Sequence, residues 1–191
     1  MFIEALIIGL IIGMIIKGRI ANLFSLNIRG WYLIVVGALI QYVPVVLSLF
    51  KIQLFNYNFF TIIGNVILFL ALIINIEIKG VFIILVGGII NLFGFVLNGF
   101  QMPVLQSQAS KNFIQLVNGN DVINYKLISE ISNWKYYFGK IISMPDIYPF
   151  HKALSFGDIV ITIGLIVLVS LEMKKTYFRG SDNMLRFPHQ L

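Results

Sequence analysis

Leu154-Ser155-Phe156-Gly157-Asp158, running directly into Ile159-Val-Ile-Thr-Ile-Gly-Leu-Ile-Val-Leu-Val169, is the stretch whose reading decides the fold. It sets one carboxylate at the mouth of a long apolar run. Such a run approaches the ~20 residues needed to cross ~30 Å of hydrocarbon at ~1.5 Å per residue. A charge at that depth is costly unless it faces protein, water or a partner, so Asp158 is a functional candidate from the outset. The plainer reading is that it caps the start of a helix, a contribution of about 0.5–2 kcal/mol.

Working outward, four more apolar blocks precede this one: Phe2 to Ile16, Trp31 to Phe50, Phe59 to Ile78 and Val81 to Leu97. The chain is 59% hydrophobic and 12% charged, where a soluble domain carries about a quarter charged residues. The expectation is therefore an all-α polytopic transmembrane bundle with about five spanning helices. Residues 1–191 form one integral membrane domain, with no room for a second globular unit. The first block carries Glu4 and no basic leader residues, so it reads as a retained helix and not a signal peptide. Its Gly9-x-x-x-Gly13 pair lets another helix approach closely.

The middle blocks carry small and polar stripes at helical spacing. They are Gly37, Gln41, Pro44 and Ser48 in the second, Thr61, Gly64, Asn65 and Asn75 in the third, and Gly87, Asn91, Gly94 and Asn98 in the fourth. Economical packing brings the three seams together, either for interhelical hydrogen bonding or around a polar cavity. The fourth helix ends at Asn98-Gly-Phe-Gln-Met-Pro-Val104, where Gly99 suits a left-handed cap and Pro103 resists continuation. The polar stretch 105–152 follows. Within it Leu127, Ile131, Trp134 and Phe138 share a face, which predicts an interfacial amphipathic helix over Ile123 to Phe138. Ser143 to Phe150, with two prolines, is expected to run extended.

The short connections set the orientation. Lys17, Arg19 and Arg29 lie in the first, Lys51 in the second, Lys79 in the third, and Lys174, Lys175, Arg179 and Arg186 in the tail. The positive-inside bias places the first and third connections and the tail 173–191 in the cytoplasm. The N-terminus and 105–152 then lie outside a multi-pass protein of the cell membrane. The net charge of +6 thus meets anionic lipid headgroups and not nucleic acid. The expected partners are the lipid bilayer and a partner membrane protein or a second copy of the chain.

The outer face collects Asn98, Gln101, Asp146, His151, Ser155 and Asp158. With no cysteine, and with His151 and His189 on opposite sides, a zinc site lacks ligands. Ser155 has no nucleophile-elbow pattern around it, and no phosphate-binding glycine loop occurs. No catalytic residue, metal or cofactor is assigned. The candidate ligand-binding set is Asn98, Gln101, Met102, Pro103, Ser155 and Asp158.

Two resemblances bear on that set. Pro149-Phe150, Phe156-Gly157-Asp158 and Ile161-Thr-Ile-Gly164 are similar to the last helix of bacterial lipoprotein signal peptidases. The resemblance implies a catalytic role for Asp158, although Gly157 stands where that family has alanine. The chemistry needs two carboxylates sharing a proton, and the expected second position reads Asn98-Gly-Phe-Gln-Met-Pro; Asp121 or Asp146 would have to serve.

A wider resemblance covers nearly the whole chain. Glu4-Ala-Leu-Ile-Ile-Gly-Leu-Ile-Ile-Gly13, Asn27-Ile-Arg-Gly-Trp-Tyr32, Asn98 to Val104, Tyr148-Pro-Phe150 and Ser155-Phe-Gly-Asp158 resemble domain-of-unknown-function family 5317 of small bacterial membrane proteins. The chain departs from that family's glycine-aspartate pair at Gly139-Lys140 and from its histidine-containing run at Asn124-Tyr-Lys-Leu-Ile. Three readings stand: a non-enzymatic membrane protein whose outer-face pocket takes a lipid, small ligand or partner helix; an intramembrane aspartyl-type peptidase; and a transporter's substrate-binding subunit docking through the Gly9–Gly13 face.

Overall fold

The computed structural model describes residues 2–49, 57–109, 111–118, 124–143 and 153–175. The chain is mainly helical. Helices α1 (Phe2–Ile15), α2 (Trp31–Leu49), α3 (Tyr57–Ile74), α4 (Val81–Leu97) and α6 (Phe156–Lys174) follow the five apolar blocks closely. Between α4 and α6 lie a short strand β1 (Met102–Leu105), helix α5 (Lys111–Asn118), strand β2 (Tyr125–Ile128) and a 3-10 turn (Trp134–Phe138). By length and composition one helix, α6, is long and apolar enough to cross a membrane; α1, α3, α4 and Trp31–Pro44 of α2 count as shorter apolar helices. Five full spans are thus not met on this measure. The shortfall has local causes. Ile78 belongs to the turn between α3 and α4, where Gly80 (φ +92°) takes a left-handed conformation that glycine alone adopts freely.

Helix α6 lies between α1 and α4. Gly9 of α1 backs onto Ile166 and Val169, and Gly13 onto Met173, so α1 and α6 run parallel. The Gly9–Gly13 face, expected as a docking surface for another protein, is used inside the chain. On the other side Gly80 meets Gly164 and Leu168, while Gly87 meets Gly157 and Ile161, so α4 runs antiparallel to α6. Each pair of facing glycines removes two Cβ atoms and lets the backbones close.

The polar seams do not converge on one axis as expected. Those of α2 and α3 meet each other: Gly37 faces Gly64, and Gln41 Nε2 donates to Asn65 Oδ1 at 3.1 Å. The α4 seam instead faces α6 and the connecting region. Hydrogen bonding across seams therefore accounts for these stripes. At the far end Asn75, buried at 6% exposure, clamps the first connection. Its Nδ2 donates to Arg29 O at 2.7 Å and its Oδ1 accepts from Arg29 N at 2.8 Å.

The connecting region forms a cap. β1 and β2 pair in parallel, with Met102 beside Tyr125 and Leu105 beside Ile128. Helix α4 stops as the glycine signal predicts: Gly99 has φ +71°, Phe100 has φ +64°, and Phe100 N returns to Phe95 O at 2.9 Å. The expected amphipathic helix over 123–138 is replaced by β2 and the 3-10 turn. Backbone pairing with β1 captures Tyr125–Ile128. Asn133 then takes an extended conformation and its side chain accepts from Lys135 N, which starts a new turn and breaks the helical register. Trp134 and Phe138 still meet edge to face at 6.3 Å. Most of the expected extended run Ser143 to Phe150 lies outside the described residues, as do Asp121, Asp146, His151 and His189.

Candidate functional site around Asp158

Ser155 opens α6 as its N-cap. Its hydroxyl accepts from Asp158 N at 3.0 Å, and Asp158 Oδ2 accepts from Ser155 N at 3.2 Å, closing a capping box. Asp158 therefore does cap the helix, from its third residue. The same carboxylate does more. Its Oδ1 accepts from Asn91 Nδ2 at 2.9 Å, and its Oδ2 takes the ammonium of Lys140 at 3.0 Å. Ser155 Oγ in turn donates to Asn91 Oδ1 at 2.6 Å. Asn91, Ser155 and Asp158 thus form a closed ring of hydrogen bonds across the α4–α6 contact, with Lys140 on its outer side.

The backbone is shaped for this ring. A Cβ on Gly157 would collide with the Asn91 side-chain oxygen and lie 2.6 Å from Gly87 O. The glycine that departs from the peptidase pattern is what admits Asn91. Lys140 is delivered by the cap: its N donates to Pro103 O at 2.7 Å and its O accepts from Leu105 N at 3.1 Å. Gly139 is needed just before it, because a Cβ there would sit 2.5 Å from Pro103 O. The Lys140 ammonium also lies 5.9 Å from the Tyr125 ring centroid, at the limit of a cation–π contact. Burial by itself pulls the Lys140 pKa down, but Tyr125 and the Asp158 carboxylate outweigh it and raise the value from 10.5.

The candidate segments Asn98–Val104 and Ser155–Asp158 are joined through Lys140, whose main chain pairs with Pro103 and Leu105 and whose ammonium reaches Asp158. The donors to Asp158 are Asn91, Lys140 and Ser155. Asn98 instead donates to Gly94 O at 2.8 Å and to Lys135 O at 3.1 Å, tying the end of α4 to the 3-10 turn. Gln101 lies half-buried in the link into β1. Met102, Pro103 and Ser155 are buried within the protein, Ser155 at 0%. As packed they support the site and do not line an open pocket. Sequence reading missed Asn91 and Lys140 as site residues. Asn91 sat in the α4 stripe, and Lys140 sat at a departure from the resembled family, so both carried a signal.

The arrangement defines a helical protein with an ion-paired lock where its cap meets two antiparallel helices. A family of unknown function, DUF5317, matches residues 25–170. That is most of the chain, and the chain belongs to this family. No curated protein and no solved structure matches it.

Proposed function

We propose that this protein is a non-enzymatic, five-span protein of the cell membrane. In this reading the N-terminus and cap lie outside and the tail lies in the cytoplasm. The rim around Lys140 and Asp158 meets a lipid, small ligand or partner helix. The observation that carries the membrane reading is the outward apolar surface. Ile3, Ile15, Leu39, Leu70, Phe82 and Ile163 are among many large apolar residues left exposed along the helices. Monomeric soluble proteins rarely expose contiguous apolar patches beyond a few hundred Å². Aromatic residues also mark both ends: Trp31, Tyr32 and Phe24 at one, and Trp134, Tyr137 and Phe156 at the other, all exposed. Such girdles suit the two headgroup layers.

Binding is favoured over peptide hydrolysis by the group opposite Asp158. An aspartyl dyad needs a second carboxylate there, and Lys140 holds that place among the described residues. The side chains of Lys140 and Asp158 are 24% and 16% exposed, so the pair lies at a rim that a ligand can reach.

The test has two arms. Membrane integration predicts that the chain stays in the pellet after alkaline carbonate extraction; release into the supernatant overturns it. A photo-crosslinking residue at Tyr137 on the cap, compared with one at Leu39 on a lipid-facing helix, probes the rim. A specific adduct at Tyr137 that is absent at Leu39 supports the binding site. The same adducts at both positions overturn it.

A further inference from the structure

The long helices pack as two groups. Helices α1, α6 and α4 close backbone on backbone: a Cβ on Gly9 would lie 3.3 Å from Ile166 Cα, and one on Gly87 would lie 2.7 Å from Gly157 O. Helices α2 and α3 do the same, since a Cβ on Gly64 would lie 2.8 Å from Gly37 O. The α3–α4 seam between the groups is sparser. The atoms nearest to a Cβ on Gly88 all belong to the Phe69 ring, so a side chain spaces the helices there. At one end of this seam Gly80 fixes the α3–α4 turn against the backbone of α6. At the other end Asn124 Nδ2 donates to Thr61 Oγ1 at 3.0 Å. Among the described residues this is the one side-chain hydrogen bond from the cap to α3.

We infer that the α2–α3 hairpin is a lateral gate beside the Lys140–Asp158 rim, pivoting at the α3–α4 turn and latched by Asn124 and Thr61; the inference deepens the binding reading above and rests on it. Glycine seams with backbone against backbone hold one arrangement, whereas the Phe69 ring can change rotamer as α3 leaves α4. The latch is only half made. Asn124 Oδ1 is buried without a hydrogen-bond partner among the described residues, and an acceptor buried unpaired costs stability. The closed hairpin therefore gains one hydrogen bond and bears one unpaired group on the same side chain, and these two effects oppose each other. The latch also adjoins the site. Asn124 O accepts from Met102 N at 2.7 Å, and the next residue, Tyr125, lies beside the Lys140 ammonium. With the hairpin swung out, an apolar ligand arriving within the bilayer reaches the rim from the side.

The chain contains no cysteine, so pairs of spin labels can be attached to introduced cysteines in the full chain, reconstituted in lipid nanodiscs. One pair, at Val46 and Tyr137, joins α2 to the cap; the other, at Tyr32 and Phe82, reads the turn end. All four positions are exposed. Double electron–electron resonance gives each distance distribution, and a melting curve reads fold. Thr61→Val keeps the side-chain shape and removes the hydroxyl. It should raise the ratio of the longer to the shorter population at Val46–Tyr137 about fivefold, the factor that corresponds to one hydrogen bond. The Tyr32–Phe82 distance should stay fixed. Asn124→Leu should act in the same direction, and Thr61→Ser, which retains the hydroxyl, should match the wild type. Unchanged Val46–Tyr137 distributions in both Thr61→Val and Asn124→Leu overturn the latch. Widening at Tyr32–Phe82 as well overturns the pivot, and a Thr61→Ser distribution like that of Thr61→Val overturns the role of the hydroxyl. These distances are read without ligand. A still hairpin therefore removes the gate and leaves the rim site, whereas a missing Tyr137 adduct removes the rim reading and leaves the motion.

Discussion

At the scale of single residues, Asp158 is both a capping-box residue and half of an ion pair, and the two roles respond differently to mutation. Asparagine caps a helix about as well as aspartate, so a cap alone would make Asp158→Asn nearly silent. Here the change leaves the Lys140 ammonium, 24% exposed, without its counter-ion. Partial exposure keeps the cost below that of a fully buried pair, so Asp158→Asn should lower stability by about 1–3 kcal/mol. Lys140→Met should cost a similar amount, and the double variant should recover part of the loss, with a coupling of about 0.5–3 kcal/mol. Thermal unfolding in detergent measures all three; strict additivity would show that the pair contributes nothing. The pH dependence has a definite sign. A lysine whose pKa is raised on folding contributes stability that is fully present below 10.5 and lost as pH rises through the raised value. The wild type should therefore lose stability above 10.5 by a step that Lys140→Met lacks. Asp158 was legible as the residue to watch because it is an acid at the mouth of an apolar run. Its partners were not, since Asn91 and Lys140 lie 67 and 18 residues away and only the folded cap brings them together.

Between elements, the glycines separate two kinds of constraint that look alike in sequence. Gly80 and Gly99 both have positive φ and both flank α4. A methyl group added at Gly99 would have nothing within 4 Å of it, so alanine there meets only the left-handed backbone penalty, about 1–2 kcal/mol. At Gly80 the added Cβ would also sit 2.5 Å from Gly164 O and 2.6 Å from Leu168 N, both backbone atoms of α6. Backbone cannot swing aside as a side chain can. Gly80→Ala should therefore cost clearly more than Gly99→Ala, by about a further 1–3 kcal/mol for the overpacking. Equal melting temperatures for the two variants would show that the α4–α6 contact has slack there. Helix existence was readable from the apolar blocks, the end of α4 from Gly99, and the start of α6 from Asp158 read as a cap, while Ser155 as the N-cap residue was not. Which seams meet was not readable, because a stripe of glycine and asparagine says only that a helix turns that face toward another part of the protein. The β1–β2 pair was also hidden. Strands of four residues each carry too little periodicity to override a helical spacing such as Leu127, Ile131, Trp134 and Phe138.

For the whole molecule, the direction of each helix ties the proposed topology to a measurable outcome. α1 and α6 run parallel and α4 runs against them. Parallel first and last helices suit an odd number of crossings, with the Asp158 lock at one face and the Asn75–Arg29 clamp at the other. The cap residue Ser143 and the turn residue Lys79 are both exposed and belong to these opposite ends. In the proposed topology the Lys79 end faces the cytoplasm, following the charge bias of the short connections. The chain contains no cysteine, so a single one can be introduced at either place without background. In intact cells, Ser143→Cys should react with a membrane-impermeant maleimide and Lys79→Cys should react only after permeabilisation. In inside-out vesicles the pattern should reverse. Reaction of both from one side would remove the membrane from between the two ends, and with it the five-span reading. A reversed pattern would keep the spans and invert the orientation, placing the ion-paired lock in the cytoplasm.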